Sequence, residues 1–259
     1  MIDLILNGKP TSTAMDPGEV TLDFIRHEQG IKGTKEGCRE GDCGACSVLL
    51  GKLTKTGMHY RAVASCLLPV GELHGKHLVT IEGLNGKTLS SIQQAIIDEG
   101  ATQCGFCTPG IVIALTGFLL NSPTLSKEDA IAAVEGNICR CTGYTAISRA
   151  IERLTANLDA PLENIDDRIK KMVTAGTLPD LFLGITEKLT QISPSPCSVG
   201  RPRPKQRASA SAKHTEADAP IIIGGGTDIY VQKADKMLNT PIRFISRAPD
   251  TPAVVTDKK

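Results

Sequence analysis

Eight of the nine cysteines fall into two sets of four. Cys38, Cys43, Cys46 and Cys66 are separated by four, two and 19 residues. Cys104 and Cys107 have two residues between them, and Cys139 and Cys141 have one. Four then two, with a distant fourth cysteine, is the spacing of a plant-type 2Fe–2S site. Three thiolates must converge from one loop on a small inorganic core, and that loop must aim backbone N–H groups at the cluster sulfurs. Gly37, Gly41 and Gly44 are read as supplying the dihedrals this needs, with Cys66 closing the site from a strand. Cys104-Gly105-Phe106-Cys107 leads into an apolar helix and Cys139-Arg140-Cys141 follows another. Two pairs from two helix ends could hold a second cluster.

Three other chemistries compete for these residues. Zinc accepts four thiolates, although the uneven first set is unlike the paired two-residue gaps of a zinc ribbon. Disulfides suit an oxidising compartment. Single cysteines also serve as small buried apolar side chains. Cys197 stands alone in a linker and is read as a non-ligand.

Composition bounds the setting. The 259 residues include 41% hydrophobic side chains, enough for one to three domains, although cysteines outnumber the eight aromatic residues. Twenty-nine basic and 28 acidic side chains leave a net charge of +1, so no overall field draws the chain to nucleic acid or an anionic membrane. Met1-Ile2-Asp3-Leu4-Ile5-Leu6 has an acid at its third position and no basic start, so no signal peptide is expected. The longest apolar run, Gly110 to Leu120, falls short of the ~20 residues of a membrane span. The expectation is a soluble cytoplasmic protein, where cysteine clusters bind metal or do redox chemistry more often than they form structural disulfides.

The elements that must position the cysteines follow from periodicity. Ile2–Leu6 reads as a strand and Asn7-Gly8 as a hairpin turn. A helix is expected from about Thr21, with Leu22 and Ile25 on one face and Gly30 as its stop. After the Gly33–Ala45 loop, strands are expected at Ser47–Leu50, Tyr60–Cys66 and Leu78–Ile81. Leu89–Glu99 reads as a helix and Gly110–Leu120 as a helix buried all round. Ser126 with Asp129 reads as an acidic capping box before a third helix that Gly136 ends. Ile147, Ile151, Leu154 and Leu158 mark a fourth. One or two short helices are expected between 165 and 192. A linker follows, with basic, proline-rich Arg201–Arg207 read as solvated, and structure resumes at Ile221-Ile222-Ile223.

These segments together resemble a known family. Gly33-Thr34-Lys35-Glu36-Gly37-Cys38, Gly41-Asp42-Cys43-Gly44-Ala45-Cys46, Gln103-Cys104-Gly105-Phe106-Cys107-Thr108-Pro109-Gly110 and Gly136-Asn137-Ile138-Cys139-Arg140-Cys141-Thr142-Gly143-Tyr144 are similar to the iron–sulfur part of the molybdenum hydroxylases. Within this xanthine dehydrogenase/xanthine oxidase family, the small subunit of the bacterial-type xanthine dehydrogenases is the nearest pattern. Ile221-Ile222-Ile223-Gly224-Gly225-Gly226-Thr227-Asp228-Ile229 resembles the first strand and glycine-rich turn of the family's flavin domain.

The resemblance implies an α+β chain. Residues 1–84 would be a β-grasp, plant-type 2Fe–2S ferredoxin-like domain and 85–165 an all-α four-helix 2Fe–2S-binding domain. Residues 166–218 would be a helical segment and flexible linker, and 219–259 a partial FAD-binding domain. It implies two 2Fe–2S clusters ligated by Cys38, Cys43, Cys46, Cys66, Cys104, Cys107, Cys139 and Cys141, with no catalytic residue on this chain. Gln103 and Cys141 would lie at the edge of molybdopterin held by a partner large subunit, in a hetero-oligomer. FAD would be contacted by Ile222, Ile223, Gly224, Gly225, Gly226, Thr227 and Asp228, although only 41 residues remain from Ala219 onward, so a further chain could complete that domain. The expected role is relay of electrons from xanthine or hypoxanthine oxidation to FAD and NAD. Other substrates in the same role are an aldehyde, an N-heterocycle such as nicotinate, or an aromatic acyl-CoA. A reading from another class is a zinc-binding interaction module.

Overall fold

A computed structural model of the chain describes residues 1–86, 88–156, 158, 162–193, 221–223, 229–232, 237 and 242–244. Cys197, the Arg201–Arg207 stretch and the Gly224–Asp228 turn lie outside the described residues.

The chain opens as a hairpin. β1 (Ile2–Leu6) pairs antiparallel with β2 (Lys9–Thr13), with Leu6 opposite Lys9. Asn7 and Gly8 both have positive φ, as the turn signal requires. Pro10 lacks an N–H and sits on β2, the edge strand, where that loss costs nothing. The helix expected from Thr21 is shorter and looser than its pattern suggests. Only Thr21–Asp23 (α1) is α-helical, and Phe24–Glu28 continues as a π-turn before Gly30 ends it at φ +67°.

β3 (Ser47–Thr54) and β4 (Gly57–Ala64) form a second hairpin; β3 runs past Leu50, while β4 begins before Tyr60 and ends short of Cys66. β5 (His77–Val79) lies between β1 and β3, parallel to the first and antiparallel to the second. The order β2-β1-β5-β3-β4 is that of a β-grasp sheet. Its central strands are buried on both faces. Leu4, Leu6, Val48 and Leu78 join a core with Phe24, Ile25, Val70 and Leu73. Their strand neighbours Ile5, Leu49 and Val79 join a second core on the other face, as the period of two requires.

That second core belongs equally to the helices. α2 (Ser91–Asp98), α3 (Thr108–Asn121), α4 (Lys127–Val134) and α5 (Thr145–Thr155) pack with it. α3 is buried continuously from Gly110 to Leu120 and lies on the β3–β4 hairpin. A side chain at Gly117 would come within 3.3 Å of Leu49. Asn121 donates to the Tyr60 carbonyl at 2.5 Å and locks the helix end to β4. α6 (Ile165–Thr174) and α7 (Ile185–Thr190) complete the layer. Arg168 on α6 donates to the Leu120 and Ser122 carbonyls at the end of α3.

Helix ends differ from the sequence reading. Ser126 does cap α4 by accepting from Asp129 N, but the Asp129 carboxylate accepts from the Thr124 hydroxyl instead of reaching back. The complete capping box is on α2, between Ser90 and Gln93. Leu158 lies past the end of α5. β6 (Ile221–Ile223) and β7 (Ile242–Phe244) form a parallel pair. No helix among the described residues is long and apolar enough to cross a membrane.

Candidate metal centres

The first site is built on the loop between α1 and β3. Gly41 and Gly44 have φ of +83° and +67°, so the loop does use glycine for left-handed turns there. Gly37 acts differently. Its φ is not in that region, but a Cβ would sit 2.7 Å from the Cys43 sulfur. Arg39 pins the loop to Asp23 and Glu36 at 2.6 Å each. Cys66 approaches from the turn after β4, not from the strand itself, because β4 ends at Ala64. The Ser65 hydroxyl fixes that turn by donating to the Cys46 carbonyl at 2.8 Å.

The second site sits at two helix ends, as expected. Cys107 is the N-cap of α3, and Gly105 turns at φ +80° between the first two cysteines. Thr102 and Thr108 brace this turn, hydroxyl to hydroxyl, at 2.7 Å. Cys139 and Cys141 follow α4. Cys139 N–H donates to the Tyr144 hydroxyl at 2.9 Å, and Tyr144 adopts a left-handed φ of +66° to accept it.

All eight cysteines carry free thiols, so no disulfide joins them. Within each set they associate two by two. Cys38 interacts with Cys43, and Cys46 with Cys66. The Cys104 and Cys141 sulfurs are 3.5 Å apart, and Cys107 meets Cys139. Among the described residues no group of three or more His, Cys, Asp or Glu converges as on one metal ion. A 2Fe–2S core asks for another arrangement, two thiolates on each of two irons. The donor set fits that demand in both sites.

The electrostatics favour thiolate at Cys38, Cys46, Cys104 and Cys139 and oppose it at Cys66, Cys107 and Cys141. The Cys66 thiol lowers the Cys46 pKa, while Cys66 itself is raised by that contact and by burial. The Phe106 N–H lowers Cys104, and Cys141 is raised by its Cys104 neighbour. Burial and Cys139 push Cys107 up to about 11. At Cys139 burial is outweighed by the Thr142 hydroxyl and by backbone N–H groups, which bring it to about 7. Cys38 is likewise lowered, against burial, by the N–H groups of Glu40, Cys43 and Asp42. In three of the four pairs one thiol is lowered and its neighbour raised, and metal binding releases the protons that thiols still hold. Backbone N–H groups aimed at sulfur stabilise the negative charge that remains.

The sites are oriented. Cys46 and Cys66 are buried, while Cys38 and Cys43 are half-buried. Cys107 and Cys139 are buried, whereas Cys104 and Cys141 are exposed beside the exposed side chains of Phe106, Ile138, Tyr144 and Gln103. Cys46, Cys66 and Leu22 share a core with Tyr230, Met237 and Ile242 of the C-terminal segment. The Tyr230 hydroxyl donates to the Gly18 carbonyl at 2.7 Å. Of the residues tied to FAD by resemblance, Ile222 and Ile223 lie in β6. Asn137, Thr142 and Tyr144 received no role from sequence reading, although they fall inside the motif that carries Cys139 and Cys141. Their only signal was that position.

Comparison with known proteins agrees with this arrangement. Residues 4–70 match the model of a 2Fe-2S iron-sulfur cluster binding domain, and residues 80–152 that of a 2Fe-2S binding domain. The nicotine 6-hydroxylase small subunit of Paenarthrobacter nicotinovorans is 39% identical over 160 residues, spanning 62% of this chain and 88% of the relative. Xanthine dehydrogenase of Emericella nidulans is 40% identical over 159 residues, 60% of this chain but only 12% of that longer protein. The crystal structure of quinoline 2-oxidoreductase from Pseudomonas putida 86 superposes with a TM-score of 0.52 at 33% identity, over 60% of this chain and 93% of the matched chain. With two cluster-domain matches in order and a small subunit covered over most of its length, the chain belongs to the iron–sulfur subunits of the molybdenum hydroxylase (xanthine dehydrogenase/xanthine oxidase) family.

Proposed function

We propose that this chain relays electrons within a molybdenum-dependent hydroxylase, through Cys104, Cys107, Cys139 and Cys141 and then through Cys38, Cys43, Cys46 and Cys66. The observation that carries this reading is that eight free thiols lie in two sets of four, each inside one of the two matched 2Fe-2S domains. Bound 2Fe–2S clusters supply one-electron redox chemistry, with plant-type potentials near about −400 mV. The chain's own residues hold the thiolates apart in pairs, donate N–H bonds to sulfur and bury one pair of each site. No residue on this chain need act as general acid or base.

The exposed Cys104/Cys141 edge, with Phe106, Ile138 and Tyr144 around it, supports docking of a molybdopterin-binding large subunit there. Gln103 and Cys141 would then meet the cofactor edge. The finer reading is xanthine dehydrogenase, in which a partner oxidises hypoxanthine or xanthine to urate and electrons go on to FAD and NAD. The Ile222-to-Asp228 pattern supports a flavin segment, and the cytoplasm is the compartment we assign. A second reading has a specific support. Nicotine and quinoline, in the names of a related small subunit and a matched structure, are N-heterocycles, which favours a partner acting on that class.

Anaerobic purification with metal, sulfide, pterin and flavin analysis tests the reading. About four irons and four sulfides per chain are expected. Tightly bound zinc without sulfide would sink it. A substrate screen of the complex separates purine from other N-heterocycles and aldehydes.

A further inference from the structure

The two cysteine sites meet at the Gly44 carbonyl. It accepts from Asn137 Nδ2 at 3.0 Å, from Ser47 N at 3.2 Å and from Ser47 Oγ at 2.8 Å. A side chain at Gly110, in the first turn of α3, would lie 2.2 Å from this oxygen. One at Gly44 would lie 2.5 Å from both Asn137 Nδ2 and the Gly136 carbonyl. Three segments therefore touch almost backbone to backbone. They are the Cys43–Cys46 loop, the helix start behind Cys107, and the turn before Cys139. Beside this contact, Ile138 N–H donates to the Cys43 carbonyl at 3.0 Å.

Asn137 is 5% exposed, and its own N–H donates to the Val134 carbonyl at the end of α4. It is thus rooted in the second site's helix while its amide grips the first site's loop. The hold on α4 uses a backbone N–H that any residue but proline offers, whereas the grip on Gly44 needs the side-chain amide. Aspartate has the same shape but no donor, and its charge would face the Gly44 oxygen. Alanine has neither.

We propose that Asn137 is a positioning residue for electron transfer between the two sites, a proposal that rests on the iron–sulfur reading above. By pinning the Gly44 carbonyl it holds the Cys43 carbonyl on the Ile138 N–H. A ligand of one site is then joined to Cys139 of the other by one hydrogen bond and one peptide unit. One electron leaves the Cys104/Cys107/Cys139/Cys141 site and one arrives at the Cys38/Cys43/Cys46/Cys66 site, with no covalent bond and no proton changing place. Electronic coupling falls steeply across each through-space gap, so opening this hydrogen bond weakens the link without touching a ligand.

The test uses the full chain, prepared anaerobically, as Asn137→Ala and as the isosteric Asn137→Asp. Two readouts are independent of turnover. They are amide exchange at Ile138 and the spin–spin interaction between the two reduced centres by electron paramagnetic resonance. At least one variant is expected to keep about four irons per chain. That variant exchanges the Ile138 amide about tenfold faster and shows a smaller magnetic splitting. Wild-type exchange and splitting in both variants overturn the proposal. Loss of iron from both also overturns it, because Asn137 would then build a site and not couple two. A wild-type chain without iron or sulfide defeats the iron–sulfur reading instead, and the Ile138 exchange still reports whether Asn137 holds the junction.

Discussion

Replacing Gly37 by alanine separates space from backbone freedom in the first site. A Cβ there would stand 2.7 Å from the Cys43 sulfur, where ordinary contact begins at 3.4 Å. The sulfur must therefore move by about 0.7 Å or more, several times the ~0.2 Å tolerance of a metal–ligand distance. Overpacking of this kind also costs about 1–3 kcal/mol. Gly136, inside the second motif, is the matched control, since a Cβ there meets nothing within 4 Å and its φ is not left-handed. Gly37→Ala is expected to hold about two irons per chain and Gly136→Ala about four, with the second site's signal intact in both. Iron and sulfide determination with electron paramagnetic resonance reads the outcome. Four irons in Gly37→Ala, or equal losses in the two variants, would refute the steric reasoning.

Other perturbations bear on the route and on the scaffold. In the assembled complex, Cys104→Ser should abolish turnover with acceptors that draw electrons beyond the clusters, and unchanged turnover would mean the route is wrong. His77 is fully buried against Tyr60 and Phe182, and burial lowers its pKa to about 3. The unfolded chain takes up its proton near pH 6.5 while the folded chain does not. Stability should therefore fall by roughly 1.4 kcal/mol per pH unit as pH drops from about 6.5 toward 3. Denaturant titrations of the wild type and His77→Phe between pH 6.5 and 5, above the carboxylate range, should show this slope only in the wild type. Gly18→Val puts a side chain 2.4 Å from the Met237 carbonyl and should lift the C-terminal segment off the Cys46/Cys66 side. Tyr230→Phe should weaken the same contact by about 1 kcal/mol. Faster exchange of the Leu22 amide, which donates to Ser65 O at 3.0 Å, would show both.

Much of the site was legible before the fold was known. Cysteine spacing marked both sets, and the structure places the Cys104 and Cys141 sulfurs 3.5 Å apart. Apolar periodicity found α3, since a helix buried on every side needs an uninterrupted apolar run. Asn7-Gly8 marked the first hairpin because both residues must adopt positive φ. Local signals misled where a second partner competed. Asp129 reads as half of a capping box, yet Thr124 takes its carboxylate. Thr21 begins a helical pattern, but the segment finishes as a π-turn before Gly30. Gly37 reads as a turn glycine, whereas the nearness of Cys43, six residues on, is what excludes a side chain.

Sequence by itself marked which thiols could act and in which two sets, because three of the first set come from one short loop and the second set comes as two close pairs. It also determined the order of strands, loop and helices, since period two and uninterrupted apolar runs are properties of the chain alone. Only the tertiary structure decided how the thiols pair, which pair of each site is buried and which edge is exposed. It alone brought Gly44, Gly110 and Asn137 to one carbonyl, and seated Tyr230, Met237 and Ile242 beside Cys46 and Cys66. These contacts join residues 66 to 212 positions apart in the chain, or sites whose approach depends on the absence of a single Cβ. Neither leaves a local pattern, because what matters is the space between two backbones and not the character of either.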